Sequence, residues 1–334
     1  MDIETLSNEH LAGQRLMIGF EGTELNDDLK SMIDRLKIGG IILFTYNIKS
    51  PGQLTELCTS VQHHAAAGGI PPLFIAIDQE GGRVARLKAP FTQFAGNPSM
   101  KSEDDAVQFA QITAAELSQV GVNMNMAPVL DVAPREIKSV MADRAFGHDP
   151  AWVTRLGLKI INHLQQNKIM AVAKHFPGIG RTTLDSHLDM PSLDAELSDL
   201  QSFDIIPFKA SIDHDVCGIM LSHIMYPGID AQWPASLSKT IAGELLREQM
   251  GYNGLTLTDD LDMGAIANHY DIQTVVRQVM AADIDIIMIC HKGPNRELAF
   301  DQILKHITDS TELKAKCTRS VQRILNAKNQ YLKI

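Results

Sequence analysis

The sequence predicts an α/β protein, a (β/α)8 barrel of the TIM type forming a single domain over residues 1–334. Three observations lead there. Short apolar, β-branched runs recur along the chain, each followed by a polar or glycine-containing loop and then a longer segment of helical periodicity. Eight such runs exceed the roughly five or six strands of an open doubly wound sheet. Finally, 334 residues are more than the roughly 250 of a minimal barrel, with the surplus in the loops after the third, fourth and fifth strands.

The first run is Arg15–Phe20 (RLMIGF), and the second, Ile38–Phe44 (IGGIILF), leads to a helical segment at Leu54–Ala66. Leu73–Asp78 (LFIAID) precedes the helix Glu103–Val120, and Val122–Val129 (VNMNMAPV) precedes Asp149–Gln165. Met170–Lys174 (MAVAK) comes before Leu200–Asp213, and Cys217–Ser222 (CGIMLS) before Ser238–Met250. Leu255–Asp259 (LTLTD) leads to Ile272–Ala282, and Asp285–Cys290 (DIIMIC) to Arg296–His306. Glu312–Lys328 is then expected to be an outer helix closing the ring. A two-domain dinucleotide-binding arrangement is the alternative. Gly178-Ile179-Gly180 lacks the third glycine of G-x-G-x-x-G and the acidic residue of the next strand, which argues against it.

Composition narrows the function. Formal net charge is −10, which repels a phosphate backbone, and no basic stripe offsets it, so no nucleic-acid partner is expected. The acidic start MDIETLSNEH lacks the basic and apolar regions of a secretory signal, and no run of 18 apolar residues occurs. The expectation is a cytoplasmic protein without a membrane partner. Cys58, Cys217, Cys290 and Cys317 form no C-x-x-C pair and read as buried free thiols. The twelve His include no H-E-x-x-H, so neither metal nor other cofactor is expected. Aromatics make up 5%, with two Trp and five Tyr, too few for a long stacking groove; the low count suits a small pocket that grips one terminal unit by polar groups.

In a barrel of this type, chemistry is placed at the C-terminal strand ends and the loops after them. Polar residues gather there: Asn47 after the second strand, Asp78 with Gln79-Glu80-Gly81-Gly82-Arg83 after the third, Asp131 and Arg144 after the fourth. Lys174-His175 close the fifth, Ser222-His223 the sixth and Asp259-Asp260 the seventh. Lys174, Arg86 and Arg144 either form ion pairs with Asp78 and Asp259 or, with them, make a pocket for a polyhydroxylated ring. Asp259 ends an apolar strand and is held rigidly, as a nucleophile or charge stabiliser must be. Asp260 points the other way on a strand, so one of the two is structural.

The segment Lys174–Pro191 (KHFPGIGRTTLDSHLDMP) cannot be helical at Pro177, Gly178 and Gly180 and makes an excursion over the barrel mouth. It carries Asp185 and His187 two residues apart. Either the carboxylate holds the imidazole in one tautomer for proton transfer, or Asp185 merely closes an Asx turn on a backbone N–H.

Taken together these residues resemble the β-N-acetylglucosaminidases of glycoside hydrolase family 3 over nearly the whole chain. The matching stretches are Ile38–Asn47 (IGGIILFTYN), Asp78–Leu87 (DQEGGRVARL), Ala127–Asp131 (APVLD), Asp143–Gly147 (DRAFG), Lys174–Pro177 (KHFP), Asp185–His187 (DSH), Pro234–Ser236 (PAS) and Thr258–Met263 (TDDLDM). The resemblance implies a retaining double displacement, with Asp259 as nucleophile and His187 as general acid/base partnered by Asp185. It further implies that Asp78, Arg86, Arg144, Lys174 and His175 hold a terminal N-acetylglucosamine. By the same resemblance the substrate is a small carbohydrate, the setting is trimming of anhydro-muropeptides in cell-wall recycling, and the enzyme is a monomer. Two departures from the family pattern are Ile179 in place of a loop-positioning His, and Ala282 with Ile284 where Gly and Cys are common. The alternatives are a phosphorylase, since a His that has given up its proton is neutral and does not repel phosphate, and a catalytically inactive sugar-binding barrel.

Overall fold

The computed structural model describes residues 3–332. Its centre is a closed, all-parallel barrel of eight strands: β1 (Leu16–Ile18), β2 (Gly40–Leu43), β3 (Phe74–Ile77), β4 (Met124–Asn125), β5 (Met170–Phe176), β6 (Gly218–Leu221), β7 (Leu255–Asp260) and β8 (Ile286–Ile289). Consecutive strands pair, and β8 returns to β1 through Leu16–Ile287, Met17–Met288 and Ile18–Ile289. Every one of the eight expected runs coincides with one of these strands, although β5 continues past the expected Lys174 to Phe176 and β7 past Asp259 to Asp260. The fourth is the least regular. Beyond Asn125 the chain carries Pro128, which has no N–H to donate, yet the Met126 N–H still donates to Ile77 O (2.8 Å) and the Leu130 N–H to Lys174 O (2.7 Å).

The strands are buried on both sides. One apolar cluster joins their outer faces to the helices, and a second fills the interior with Met17, Met124, Met126, Met170, Met220 and Met288 among smaller residues. Unbranched thioethers suit that space, because eight strands leave an irregular volume that flexible side chains can fill.

Helices surround the barrel, and two differ from expectation. Leu200–Asp213 is not one helix but two, Leu197–Ser202 and Ile206–Asp213, because Pro207 cannot sit in a helix interior but is tolerated in a first turn. The final helix, Thr311–Tyr331, does more than complete the outer ring. Its Ile324, Ala327 and Tyr331 join the interior cluster and plug the N-terminal end of the barrel. The segment Asp27–Leu36 adds a helix between β1 and β2, capped by Asn26. The four cysteines are free and buried. No helix of the described residues is long and apolar enough to cross a membrane.

Candidate active site

At the C-terminal end of the barrel lies a cavity of about 560 Å³. It is lined by all eight residues singled out for catalysis and binding: Asp78, Arg86, Arg144, Lys174, His175, Asp185, His187 and Asp259. They come from five separate stretches of chain, which the closure of the barrel brings to one mouth.

The floor is a buried charge network. Lys174, 2% exposed, places Nζ 2.7 Å from both Asp78 Oδ1 and Glu80 Oε1. Arg86 Nη2 donates to Asp78 Oδ2 at 3.0 Å, and Arg144 donates to Glu80 from Nε (3.0 Å) and Nη2 (2.7 Å). Burial would push the Asp78 carboxyl up, but Lys174 and Arg86 overcome it and hold the group well below the ordinary carboxylate range. Of the ion pairs the sequence allows, Asp78 takes Lys174 and Arg86, whereas Arg144 goes to Glu80 and not to Asp259. Glu80 is thus a site residue that sequence reasoning passed over as part of a polar loop. The signal was the Gly81-Gly82 pair that follows it. These glycines, at φ 88° and 61°, turn a small hairpin, Gln79–Gly81 against Val84–Ala85, which aims Glu80 inward; only residues without a Cβ take these angles readily and fit beside Gly96.

His175 is fixed by the fully buried Asp131, whose Oδ2 lies 2.7 Å from Nδ1. Asp131 Oδ1 also accepts the Ile179 N–H (2.8 Å). One carboxylate therefore ties the His175 imidazole to the root of the long loop. A backbone donor does this, so the side chain at 179 is free to be apolar, and Ile179 packs in the core. The Tyr226 hydroxyl donates to Gly178 O (3.0 Å), and Arg181 pairs with buried Asp204 (2.6 Å), fastening the same loop.

Asp185 makes both the turn contact and the imidazole contact that the spacing allows. Its Oδ1 accepts the His187 backbone N–H at 3.0 Å and lies 2.8 Å from His187 Nδ1. Although partial burial works the other way, the two His187 contacts draw the Asp185 carboxyl below its ordinary value. An ionised Asp185 selects the Nδ1–H tautomer, which leaves the Nε2 lone pair free. The His187 side chain is 67% exposed.

Asp259 is the next-to-last residue of β7, which runs one residue past the expected end, and its Oδ1 accepts the Asp260 N–H (2.8 Å). Burial raises its pKa, but His223, His175, the Asp260 N–H and Lys174 outweigh that and lower it, so the carboxylate is ionised at neutral pH. Asp260 is the structural member of the pair. Its Oδ1 accepts the N–H groups of Asp262 (3.1 Å) and Cys290 (3.0 Å), and burial together with nearby Asp262 and Asp259 raises it to about 6. His223, noted in the sequence only among the strand-end polar residues, is locked between Ser236 Oγ (2.6 Å) and Asp260 O (2.9 Å), near enough to Asp259 to lower its carboxyl. Asn47 holds the β2 loop and does not line the cavity. Among the described residues, Asp260, Asp262 and His291 are the group whose donor atoms lie within 4.8 Å of one another. Their carboxylates already accept N–H groups of Asp262, Cys290, His291 and Asn295, which makes them a tie between the β7 and β8 loops.

These shifts set the pH dependence of stability. Asp78 and Asp259 titrate lower folded than unfolded, so the stability they give is present above the ordinary carboxylate value and is lost as pH falls below about 4. Asp204 runs the other way. Burial, only partly offset by Arg181, raises it to about 6, so its contribution is present below about 4 and is lost, at roughly 1.4 kcal/mol per pH unit, as pH rises through 6. Asp204→Asn is therefore expected to flatten the change of melting temperature between about pH 4 and 6 relative to wild type; an unchanged slope over that range contradicts this assignment.

The comparisons with known proteins follow this geometry. The chain is 36% identical over 285 residues to a protein named beta-hexosaminidase from Nitrosomonas eutropha, covering 83% of this chain and 80% of that one. A beta-hexosaminidase from Alkalilimnicola ehrlichii is 35% identical over 303 residues, covering 88% and 84%. The structure of a glycoside hydrolase family 3 beta-N-acetylglucosaminidase from Paenibacillus superposes with a TM-score of 0.93 at 33% identity, over 98% of this chain and 63% of the other. The family described as "Glycosyl hydrolase family 3 N terminal domain" matches residues 8–327, and the chain, carrying a strand-end Asp, a loop Asp/His pair and a charged floor around one cavity, belongs to that family.

Proposed function

We propose that the protein is a retaining exo-β-N-acetylglucosaminidase that removes a terminal N-acetylglucosamine from a small carbohydrate substrate through a covalent glycosyl-enzyme. The observation that carries this reading is the pairing, across one cavity, of an ionised strand-end carboxylate, Asp259, with a loop imidazole whose Nε2 is left free by Asp185. In this reading Asp259 attacks the anomeric carbon while His187 protonates the leaving oxygen. His187 then takes a proton from water as the intermediate is hydrolysed. Asp78, Arg86, Arg144, Lys174 and His175 hold the hydroxyls, their mutual hydrogen bonds fixing them before substrate arrives. The names borne by the relatives support the choice of sugar. Removal of that sugar from anhydro-muropeptides by a cytoplasmic monomer is the cellular role that the resemblance favours.

Release of p-nitrophenol from p-nitrophenyl N-acetyl-β-glucosaminide tests the activity, with phosphate added to ask whether N-acetylglucosamine 1-phosphate forms in place of the free sugar. Replacing His187 by Ala is expected to lower kcat by about 10²–10⁴-fold on substrates with a poor leaving group. The loss should be smaller for p-nitrophenol, which departs without protonation. Equal losses on both classes contradict the acid role.

A further inference from the structure

We propose that Tyr46 is a platform for the leaving group, making the site selective for aglycones that present a flat or sugar-ring face to it. The proposal rests on the glycosidase reading of the cavity. Among the described residues the exposed large apolar side chains are Tyr46, Leu184, Leu188, Ile206 and Leu298, so Tyr46, 52% exposed, is the aromatic of the set. In a protein that buries its other rings more deeply, its position is informative.

Tyr46 sits in the turn Thr45–Asn47 directly after β2, at the same barrel end as the cavity. The turn is rigid. Buried Asn47 accepts the Phe44 N–H (2.9 Å) and donates to Phe20 O (3.0 Å) and Gly22 O (2.7 Å), tying the β2 loop to the β1 loop. The ring is held too, since it stacks on Phe44 with centroids 5.5 Å apart and planes 10° from parallel. Phe44 lines the cavity, and the Arg86 guanidinium lies 5.4 Å from its centroid while donating to Asp78. A chain of contacts thus runs from Asp78 on the floor through Arg86 and Phe44 to Tyr46 at the rim. Leu184, also exposed, lines the same cavity from the loop that carries His187. Tyr46 itself does not line the cavity but stacks on Phe44, which does, so a leaving group that extends out of the cavity past Phe44 would meet the face of the Tyr46 ring.

Such a face binds rings by offset stacking or by contact with the C–H side of a sugar, whereas a methyl group offers it little. Because the contact exists before bond cleavage, its loss is expected mainly in KM, with a smaller change in kcat.

The test compares wild type, Tyr46→Ala and Tyr46→Phe on the p-nitrophenyl and methyl N-acetyl-β-glucosaminides. Tyr46→Ala is expected to reduce the ratio of kcat/KM for the aryl over the methyl glycoside by about tenfold, through KM. Tyr46→Phe should keep the ratio, since it keeps the ring. A ratio unchanged in Tyr46→Ala, or one lost equally in Tyr46→Phe, overturns the platform and leaves the glycosidase reading standing. If wild type cleaves neither glycoside, it is the reading of the floor that fails. Calorimetry with the aryl and methyl glycosides of N-acetylglucosamine, glucose and xylose then decides the platform: an aryl preference lost in Tyr46→Ala supports it, and no aryl preference in wild type overturns it.

Discussion

Replacing Asp259 by Asn is expected to abolish hydrolysis, with kcat on p-nitrophenyl N-acetyl-β-glucosaminide falling by at least about 10³-fold. The substitution is nearly isosteric. Its side-chain oxygen can still accept the Asp260 N–H that Oδ1 accepts at 2.8 Å, so the strand end keeps its geometry and a melt should show a folded protein. What is lost is the negative charge, and with it both the nucleophile and the group that faces the developing positive charge at the anomeric centre. A slow 2-fluoro sugar should label wild type at Asp259, leaving the variant unlabelled. Turnover equal to wild type, or a label on another residue, would falsify the assignment.

The second large effect falls on stability as well as binding. Lys174→Met removes the cation that lies 2.7 Å from both Asp78 and Glu80 while itself 2% exposed. Three cations, Lys174, Arg86 and Arg144, now face two carboxylates. After the substitution Arg86 and Arg144 each keep one carboxylate, but the carboxylates lose their shared donor and press on each other in a site closed to water. Breaking a buried pair in this way costs about 3–5 kcal/mol, which for a chain of this size lowers the melting temperature by about 5–10 °C. The double variant Lys174→Met with Glu80→Gln is expected to recover part of the loss, because one of the two carboxylates that press on each other is neutral. Melts at pH 7 of the three proteins separate these outcomes, and a single variant as stable as wild type removes the network from the account. Activity should remain low in the double variant, since the floor that would hold the sugar hydroxyls is incomplete.

Local pattern explains how much of this was legible. The strand at Ile286–Ile289 and the helix at Glu103–Gln119 announce themselves through apolar runs and periodicity within a few residues. Asp259 was readable because a charge directly after an apolar run marks a strand end. The split at Pro207 was legible in principle, as a proline inside a helical pattern, but the apolar periodicity around it was stronger. The inward aim of Glu80 was not, because it depends on how a glycine turn packs against Gly96, 14 residues away in sequence.

The barrel, its eight strands and the residues at its C-terminal mouth are all readable from patterns that repeat within single strands and loops. Only the tertiary structure decided partnership. Arg144 bonds to Glu80 across 64 positions and Lys174 to Asp78 across 96, and Asp131 links His175 to the loop root at Ile179. Such choices are made by distance and burial: in water each of these charges would be worth little to another, whereas inside the closed barrel each carboxylate must find a donor or be neutralised. The same closure separates Asp259 from Asp260, drawing the first carboxyl down and the second up while turning the second to hold two backbone N–H groups.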